Sequence, residues 1–359
     1  MFPVTVGAVR IVAVGDIMMH QDVKRAAGPT AAGLMALWAD VEPLLRGADI
    51  AFANLETPVA PGTGQPGRPF LFNAPEVLPA ALRASGFTVL STANNHAYDQ
   101  GRKGVVETLE RLRAEHLVAV GTGTTRADAE AIRWVQAGGL RVAFLGFTDL
   151  FNINLNREDN GPWVRPLDPE AAVAAVRRAR AQADAVVVSL HWGVEYSHQP
   201  LPRQRDLAAR LVEAGADLVL GTHPHRLQPV EWLERGRRRG LVAYSLGNFI
   251  SNQDRVYRAG QDPVEAGDNR DGVALQCRLV KERLADGSVR VELRDLRCEP
   301  LWTVNNWGDF NAGRARSREI RVIPVDAALA RVGPGEEALG RALTVRRDRV
   351  LQCLGVAAP

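Results

Sequence analysis

The stretch VRIVAVGDIMMH (residues 9–20) sets the pattern on which the fold reading rests. Val9–Val14 is a short apolar run that ends at a polar, glycine-bearing corner, Gly15-Asp16. Its continuous apolar character, without strict alternation, marks a strand buried on both faces. The same unit recurs at Ile50–Ala53, Thr88–Ser91, Leu117–Val120, Arg141–Gly146, Ala185–Leu190 and Asp217–Leu220. Each is rich in Val, Ile, Leu or Phe and stops at a polar or glycine corner.

Helical patterns lie between these runs. Pro75–Ser85 carries apolar residues at helical spacing and stops before Gly86, and Lys103–Glu115 sets Val105, Val106, Leu109 and Leu112 on one face. Asp168–Gln182 opens with an N-cap aspartate and a proline at the first helical position, and Arg203–Ala214 ends at Gly215. This βαβα rhythm predicts a layered α/β fold. After about residue 240, Leu241–Ser245, Gly272–Val280, Val289–Leu296 and Glu299–Val304 read as strands without intervening helices, so antiparallel strands are expected in the C-terminal third. Pro61–Pro69 reads as a loop, Arg255–Arg270 as a polar and mobile one, and Glu336–Leu354 as a closing helix.

With 46% hydrophobic and 24% charged residues in 359, the chain falls outside the disordered and fibrous classes. Forty-four Lys and Arg against 41 Asp and Glu leave a net charge of +3, which argues neither for nor against an acidic polymer as partner. No nucleic-acid partner is expected. The basic run Arg235, Arg237, Arg238 and Arg239 reads as a solvated turn between strands rather than a phosphate site. Cys277, Cys298 and Cys353 are far apart and form no CxxC, which points away from a disulfide framework or a thiolate metal site. The N-terminal stretch shows no basic leader or cleavage site, and no apolar run approaches the roughly 18 residues of a membrane span. A cytoplasmic location without an integral membrane segment is the expectation.

The strand ends carry the chemistry. They read Gly15-Asp16, Asn54-Leu55-Glu56, Asn94-Asn95-His96, His191-Trp192-Gly193 and His223-Pro224-His225. Ligands collect beyond the carboxyl ends of strands in open α/β sheets. Taken singly, each has a structural reading: Asp16 as a cap, Asn94-Asn95 as a turn, His191 as a hydrogen-bonded core histidine. His223 and His225, two residues apart on an extended segment, can aim at one centre. Together, imidazole, carboxylate and amide oxygen from five parts of the chain form a mixed donor set suited to Mn, Fe or Zn. Asp16, Glu56, Asn95, His191, His223 and His225 are therefore the candidate metal ligands. Glu195 and Tyr196 either line a substrate pocket or pack around the site, and Ser245, Gly247 and Asn248 shape a cleft floor. Arg270 reads as an exposed arginine, inert or in contact with an anionic substrate; His116 and His198 lie outside the strand-end set.

The blocks VGDIMMH (14–20), ANLETPV (53–59), STANNHAYDQG (91–101), SLHWGVEY (189–196), GTHPHRLQPVE (221–231) and YSLGNFISNQ (244–253) resemble, in order, those of the CapA family of capsule or poly-γ-glutamate synthesis proteins. That family's domain is in turn similar to calcineurin-like metallophosphoesterases. The resemblance implies an αββα sandwich with a dinuclear metal site over residues 1–255 and an extension, 256–359, packing on the same domain. It implies Asp16 as the opening ligand, Glu56 in the bridging position, and Asn95, His191, His223 and His225 as the remaining ligands to one or two divalent transition metal ions. His96 would handle a proton, with Asp99 orienting it. Met18 stands where the superfamily has a histidine; His20 is the candidate substitute. Asn54, Glu195 and Asn248 are further candidate ligands or pocket residues.

The implied function is a metal-dependent hydrolase of poly-γ-glutamate (capsule) metabolism, acting on a phosphate ester or a γ-glutamyl bond of a small-molecule or glutamyl-polymer substrate. The competing readings are a non-catalytic component of a polymer synthesis or export assembly, with capsule-synthesis partners, and a scaffold with a decayed site.

Overall fold

Strand β1 (Val4–Ile17) extends the apolar run in both directions in a computed structural model that describes residues 3–356. Val9, Ile11 and Ala13 point to one side and Val12 and Val14 to the other, and all five are buried. Covering both faces of one strand requires layers on each side of the sheet.

In the first sheet β2 (Ile50–Leu55), β3 (Val89–Ser91) and β4 (Val118–Val120) follow β1 in parallel. The second sheet comprises β5 (Arg133–Ala137), β6 (Leu140–Thr148), β7 (Ala185–His191), β8 (Leu218–Thr222), β9 (Val230–Arg235) and β10 (Arg238–Ala243), ordered β9-β10-β8-β7-β6-β5. Its inner strands are parallel, and β5 and β9 are antiparallel edges. The chain then returns to the first sheet with β11 (Asn248–Ile250), β12 (Asp271–Arg283), β13 (Val289–Asn305) and β14 (Ile320–Pro324), which gives the order β14-β13-β12-β1-β2-β3-β4. β11 pairs with the end of β1.

Val9, Ile11 and Phe52 of the first sheet pack against Phe144, Val187 and Leu220 of the second. Helices α1 (Gln21–Ala27), α2 (Ala31–Ala36), α3 (Glu42–Arg46) and α4 (Leu78–Ala84) cover the outer face of the first sheet through Val23, Leu34, Leu45 and Leu82. α5 (Gly101–Ala114) packs beside β4. α6 (Pro169–Arg180) and α7 (Pro202–Ala214) cover the second sheet. α8 (Glu337–Leu354) adds Val350 and Leu354 to the core between the sheets. The architecture is the expected αββα sandwich with antiparallel strands added late in the chain.

α6 starts as the sequence predicts: Asp168 Oδ1 accepts from Ala171 N at 2.7 Å, with Pro169 at the first position. The arginine run forms the turn of the β9–β10 hairpin. Other expectations need correction. Val289–Leu296 and Glu299–Val304 are one strand, β13; the register shift opposite Gln276–Arg278, with Asp295 at φ 56°, absorbs the irregularity without ending the pairing. Arg255–Arg270 is not irregular throughout, since Val264–Arg270 is a 3₁₀ helix. Arg270 is buried, and it donates to the carbonyls of Asp254, Tyr257 and Asn305 rather than facing a substrate.

The end of β1 sets up the site. After Ala13 the strand loses its register with β2, and Asp16 pairs with Asn248 of β11. At Gly15 a Cβ would lie 1.8 Å from the carbonyl oxygen of Gly247, so only glycine allows this approach. Asp16 N then donates to Gly247 O at 3.0 Å, which fixes the aspartate where the two sheets meet.

Candidate metal centre

The carboxyl ends of β1, β2 and β3 from one sheet and β7 and β8 from the other converge on one buried cluster. Three sets of side chains each place ligand-capable atoms within 4.8 Å of one another: Glu56, His191 and His223; Asp16, Glu56 and His225; and Glu195, His223 and His225. The first two share Glu56, which is wholly buried. Its Oε1 faces two imidazoles, 3.6 Å from His191 Nε2 and 3.9 Å from His225 Nε2. Asn95 joins the first set, its Oδ1 2.9 Å from His191 Nε2.

Neighbouring amides and hydroxyls hold these groups. Asn54 donates from Nδ2 to Asp16 Oδ1 at 2.8 Å, so it orients the aspartate. Asn248 Oδ1 lies 3.1 Å from His225 Nδ1, which is also 3.2 Å from Asp16 Oδ2. Thr222 Oγ1 lies 3.0 Å from His191 Nδ1. His223 and His225 both take positive φ, 98° and 56°, on either side of Pro224. Such non-glycine conformations cost about 1–3 kcal/mol each and persist where surrounding structure imposes them.

His96 lies at the edge of the cluster. Its Nδ1 donates to Asp99 Oδ2 at 2.8 Å, and Asp99 Oδ2 also accepts from Phe72 N at 2.6 Å. Phe72 packs on the imidazole at 4.5 Å between ring centroids. The Nε2 side meets Asn152 Nδ2 at 3.4 Å, and Asn152 Oδ1 accepts from Asn95 Nδ2 at 3.1 Å.

The candidate extra residues divide. Asn54 and Asn248 orient other side chains, and exposed Glu195 stands at the mouth beside His223 and His225. His20 joins none of the ligand-capable groups among the described residues. Its Nδ1 accepts from Asn252 N at 3.3 Å and its ring packs 5.0 Å from Phe72. Met18 is buried and contributes only backbone groups, its N–H donated to Ile250 O and its carbonyl accepting from His20 N. Sequence reasoning missed Thr222 and Asn152. The asparagine-rich segment Phe151–Asn156, soon after the end of β6, was the available signal for Asn152.

Burial, and then the Asp16 carboxylate, raise Glu56 well above the ordinary carboxyl range. Burial and neighbouring imidazoles lower His191 well below its usual value and bring His223 to about 3 and His20 to about 4. These three imidazoles are therefore held in the neutral form, the one that binds a cation. Glu56 Oε1 and His223 Nδ1 are buried without a hydrogen-bond partner. A polar atom left in that state costs about 1–3 kcal/mol, and these two belong to the same ligand-capable set. The donor set thus fits a divalent cation.

Residues 10–253 match the family described as bacterial capsule synthesis protein PGA_cap. The chain belongs to this family. The PGA_cap match takes in every residue of the centre and ends before β12. Over 243 residues the chain is 37% identical to the PGA biosynthesis protein CapA of Bacillus subtilis (strain 168), covering 67% of this chain and 62% of that protein. Over 248 residues it is 36% identical to the capsule biosynthesis protein CapA of Bacillus anthracis, covering 67% and 59%. The chain therefore spans about three-fifths of the length of these curated relatives. Among solved structures it is similar to the 5'-nucleotidase precursor from Thermus thermophilus, at 14% identity and a TM-score of 0.47 over 96% of this chain and 59% of that one. It is also similar to purple acid phosphatase PPD1 from yellow lupin seeds, at 12% identity and a TM-score of 0.35 over 80% and 53%. Among the described residues of this PGA_cap chain, no helix is long and apolar enough to cross a membrane.

Proposed function

We propose that this protein is a metal-dependent hydrolase of poly-γ-glutamate or capsule metabolism, cleaving a phosphate ester or a γ-glutamyl bond. The observation that carries the reading is the pair of ligand-capable groups sharing buried Glu56, whose Oε1 has no partner in the protein. Glu56, Asn95, His191 and His223 would hold one divalent transition metal ion (Mn, Fe or Zn), and Asp16, Glu56 and His225 a second. Such an ion supplies Lewis acidity and a water activated near neutral pH.

The chain's own groups do the rest. With Nδ1–H held by Asp99, neutral His96 keeps Nε2, on the side of Asn152, free to take up a proton; as the imidazolium it gives that proton to the leaving group from Nε2 and returns to the neutral form. Asp99 offsets the positive charge of the imidazolium. Asn152 ties the position of His96 to that of Asn95, so the proton donor and the ligand shell move together. Glu195 and Tyr196 form the rim through which the scissile group enters.

The test is elemental analysis of the purified protein, followed by turnover of a phosphate-ester and γ-glutamyl-peptide panel with and without Mn²⁺. The expected result is bound transition metal and Mn²⁺-dependent cleavage that His191→Ala and His223→Ala abolish. No bound metal, or activity indifferent to both substitutions, overturns the reading. Metal without turnover of any substrate favours a binding component of a polymer-synthesis assembly.

A further inference from the structure

A cleft of about 650 Å³ runs outward from the proton-handling edge of the centre. Its inner wall includes His20 and Phe72, the latter packed on His96. Its outer wall includes Lys24 of α1, Arg68 and Phe70 of the loop after β2, and Arg255. We propose that this cleft is a subsite for a second anionic group on the substrate, a carboxylate or phosphate remote from the bond being cleaved, with Lys24 and Arg68 as its recognition residues. The proposal rests on the hydrolase reading for what happens at the bond, but not for the anion site itself.

The Lys24 ammonium donates to Asn73 O at 3.1 Å. Among the described residues neither it nor Arg68 has a carboxylate within 4.0 Å, although ion pairs are plentiful elsewhere in the protein. Lys24 is also half-buried, and burial lowers its affinity for a proton. A partly desolvated cation without a counter-charge is unfavourable unless something else supplies the charge. The loop crosses it closely: a Cβ on Gly67 would lie 2.9 Å from Lys24 Nζ.

Two carboxylates line the same cleft, and both are engaged. Asp22 is buried and pairs with Arg318 at 2.8 Å, Arg25 at 3.3 Å and Arg255 at 3.8 Å, and it accepts from Asn252 Nδ2. Asp254 accepts from the backbone and side chain of Asn269. Asp254 keeps its charge, but Lys24, Arg68 and Arg255 outnumber Asp22 and Asp254, so the lining carries a net charge of +1. Phe70, 84% exposed at φ 65°, and exposed Val256 give it apolar lips. A ligand with an apolar backbone and spaced anionic groups matches this lining, whereas an uncharged one leaves Lys24 unpaired.

The experiment measures binding by calorimetry to the full chain in EDTA, which removes any contribution from bound metal. The probes are a γ-linked glutamate pentapeptide, its uncharged α-amide counterpart and inorganic phosphate. The pentapeptide is expected to bind the wild type, to weaken about tenfold in Lys24→Met, as a charge-assisted contact predicts, and to weaken further in Lys24→Met/Arg68→Met. Lys24→Arg should retain binding, which separates charge recognition from a packing defect. Raised salt should weaken the interaction. Lys24-dependent binding of phosphate in place of the peptide identifies the anion as a phosphoryl group; selectivity for the peptide identifies a carboxylate. Wild-type binding no tighter than to the amide, or binding unchanged in the double variant, overturns the subsite. Lys24-dependent binding in a protein that cleaves nothing overturns the hydrolase reading alone, and Mn²⁺-dependent cleavage with Lys24-independent binding overturns the subsite alone.

Discussion

Replacing Glu56 by Gln should raise the stability of the metal-free protein at neutral pH and, on the proposed reading, shrink the stabilisation that Mn²⁺ adds. Glu56 is wholly buried, its Oε1 has no partner, and burial plus Asp16 raise it well above the ordinary carboxyl range. In the metal-free protein the folded state therefore holds a proton that the unfolded state releases above the ordinary value of 4.5. Stability carried by this group is greatest at acid pH and falls as pH rises toward the folded value. At pH 7 the penalty cannot exceed the cost of holding the carboxyl protonated there, about 3 kcal/mol at 1.36 kcal/mol per unit. Gln is neutral at every pH and is free of this penalty.

An unfolding entropy of about 2.1 cal/mol/K per residue over 359 residues makes 1 kcal/mol worth about 1.3 °C. Metal-free Glu56→Gln should therefore melt up to about 4 °C above metal-free wild type at pH 7, with the difference closing near pH 4.5. With Mn²⁺ at about 1,000 times its Kd the wild type gains about 4 kcal/mol, or roughly 5 °C; the variant, lacking the shared carboxylate, gains far less. Thermal melts in EDTA and in Mn²⁺ at pH 4.5, 6 and 7 measure all of these. A variant with the same Mn²⁺ shift as wild type refutes the shared-ligand role. A metal-free variant no more stable at pH 7, with no convergence at lower pH, refutes the buried-carboxyl argument.

Asp99→Asn takes the anionic partner from His96 and should lower kcat about 10- to 100-fold with little change in KM; steady-state kinetics showing a loss mainly in KM would contradict a proton-handling pair. Burial alone would lower His198, but its hydrogen bond to Asp268 at 2.8 Å brings it up to about 9. The contribution of this pair, reduced by solvent screening at a partly exposed histidine, is present below pH 6.5 and lost as pH rises through about 9, so urea midpoints of wild type should fall across that window while those of His198→Gln stay level. Asp268→Asn takes from buried Arg346 one of its two carboxylates, the other being Asp271 at 3.2 Å, and releases Arg349; chemical denaturation should show a loss of about 3 kcal/mol. Gly15→Ala drives a Cβ into the Gly247 carbonyl and should cost about 3 kcal/mol by calorimetry, with Mn²⁺ binding weakened in proportion to the displacement of Asp16.

The strands that carry the site were legible because doubly covered parallel strands announce themselves: β1 and β7 are dominated by apolar residues, interrupted only by Thr5 and Arg10 in one and Ser189 in the other before the polar residue that ends each. Edge strand β5, RWVQA, faces solvent along one side, so no run betrays it. The short helices α1 to α3 were not legible either: each has five to seven residues, too few for a helical period to emerge. In β13 the polar residues near the Asp295 bulge look like a strand end, because sequence does not distinguish a bulge from a turn. In the site, Glu56 and the histidines could be named from position alone. Whether Asn54 binds a cation or steadies Asp16 depends on where its amide nitrogen points, which needs distances. The role of His20 depends on the turn after β1, which sends its ring toward Phe72.

On the proposed reading, the two positions that share Glu56 are unequal, and their hydrogen bonds show why. The first combines two imidazoles, one carboxylate and the Asn95 amide oxygen; the second combines two carboxylates with one imidazole. Met18, 3% exposed, occupies the place two residues after Asp16 without a comparable donor, and His20 lies outside the ligand-capable groups among the described residues. Nitrogen-rich positions favour Zn and Fe, and oxygen-rich ones favour harder ions such as Mn. The existing bonds act in the same direction. Asp16 Oδ1 is already taken by Asn54 and Oδ2 by His225, so filling the second position means breaking or sharing those contacts. Glu56 Oε1 and His223 Nδ1, in the first set, are unpartnered, and there only the His191 Nε2–Asn95 Oδ1 contact at 2.9 Å has to open. The first position should therefore fill at lower metal concentration, and the second should be the one that depends on Asn54 keeping Asp16 in place.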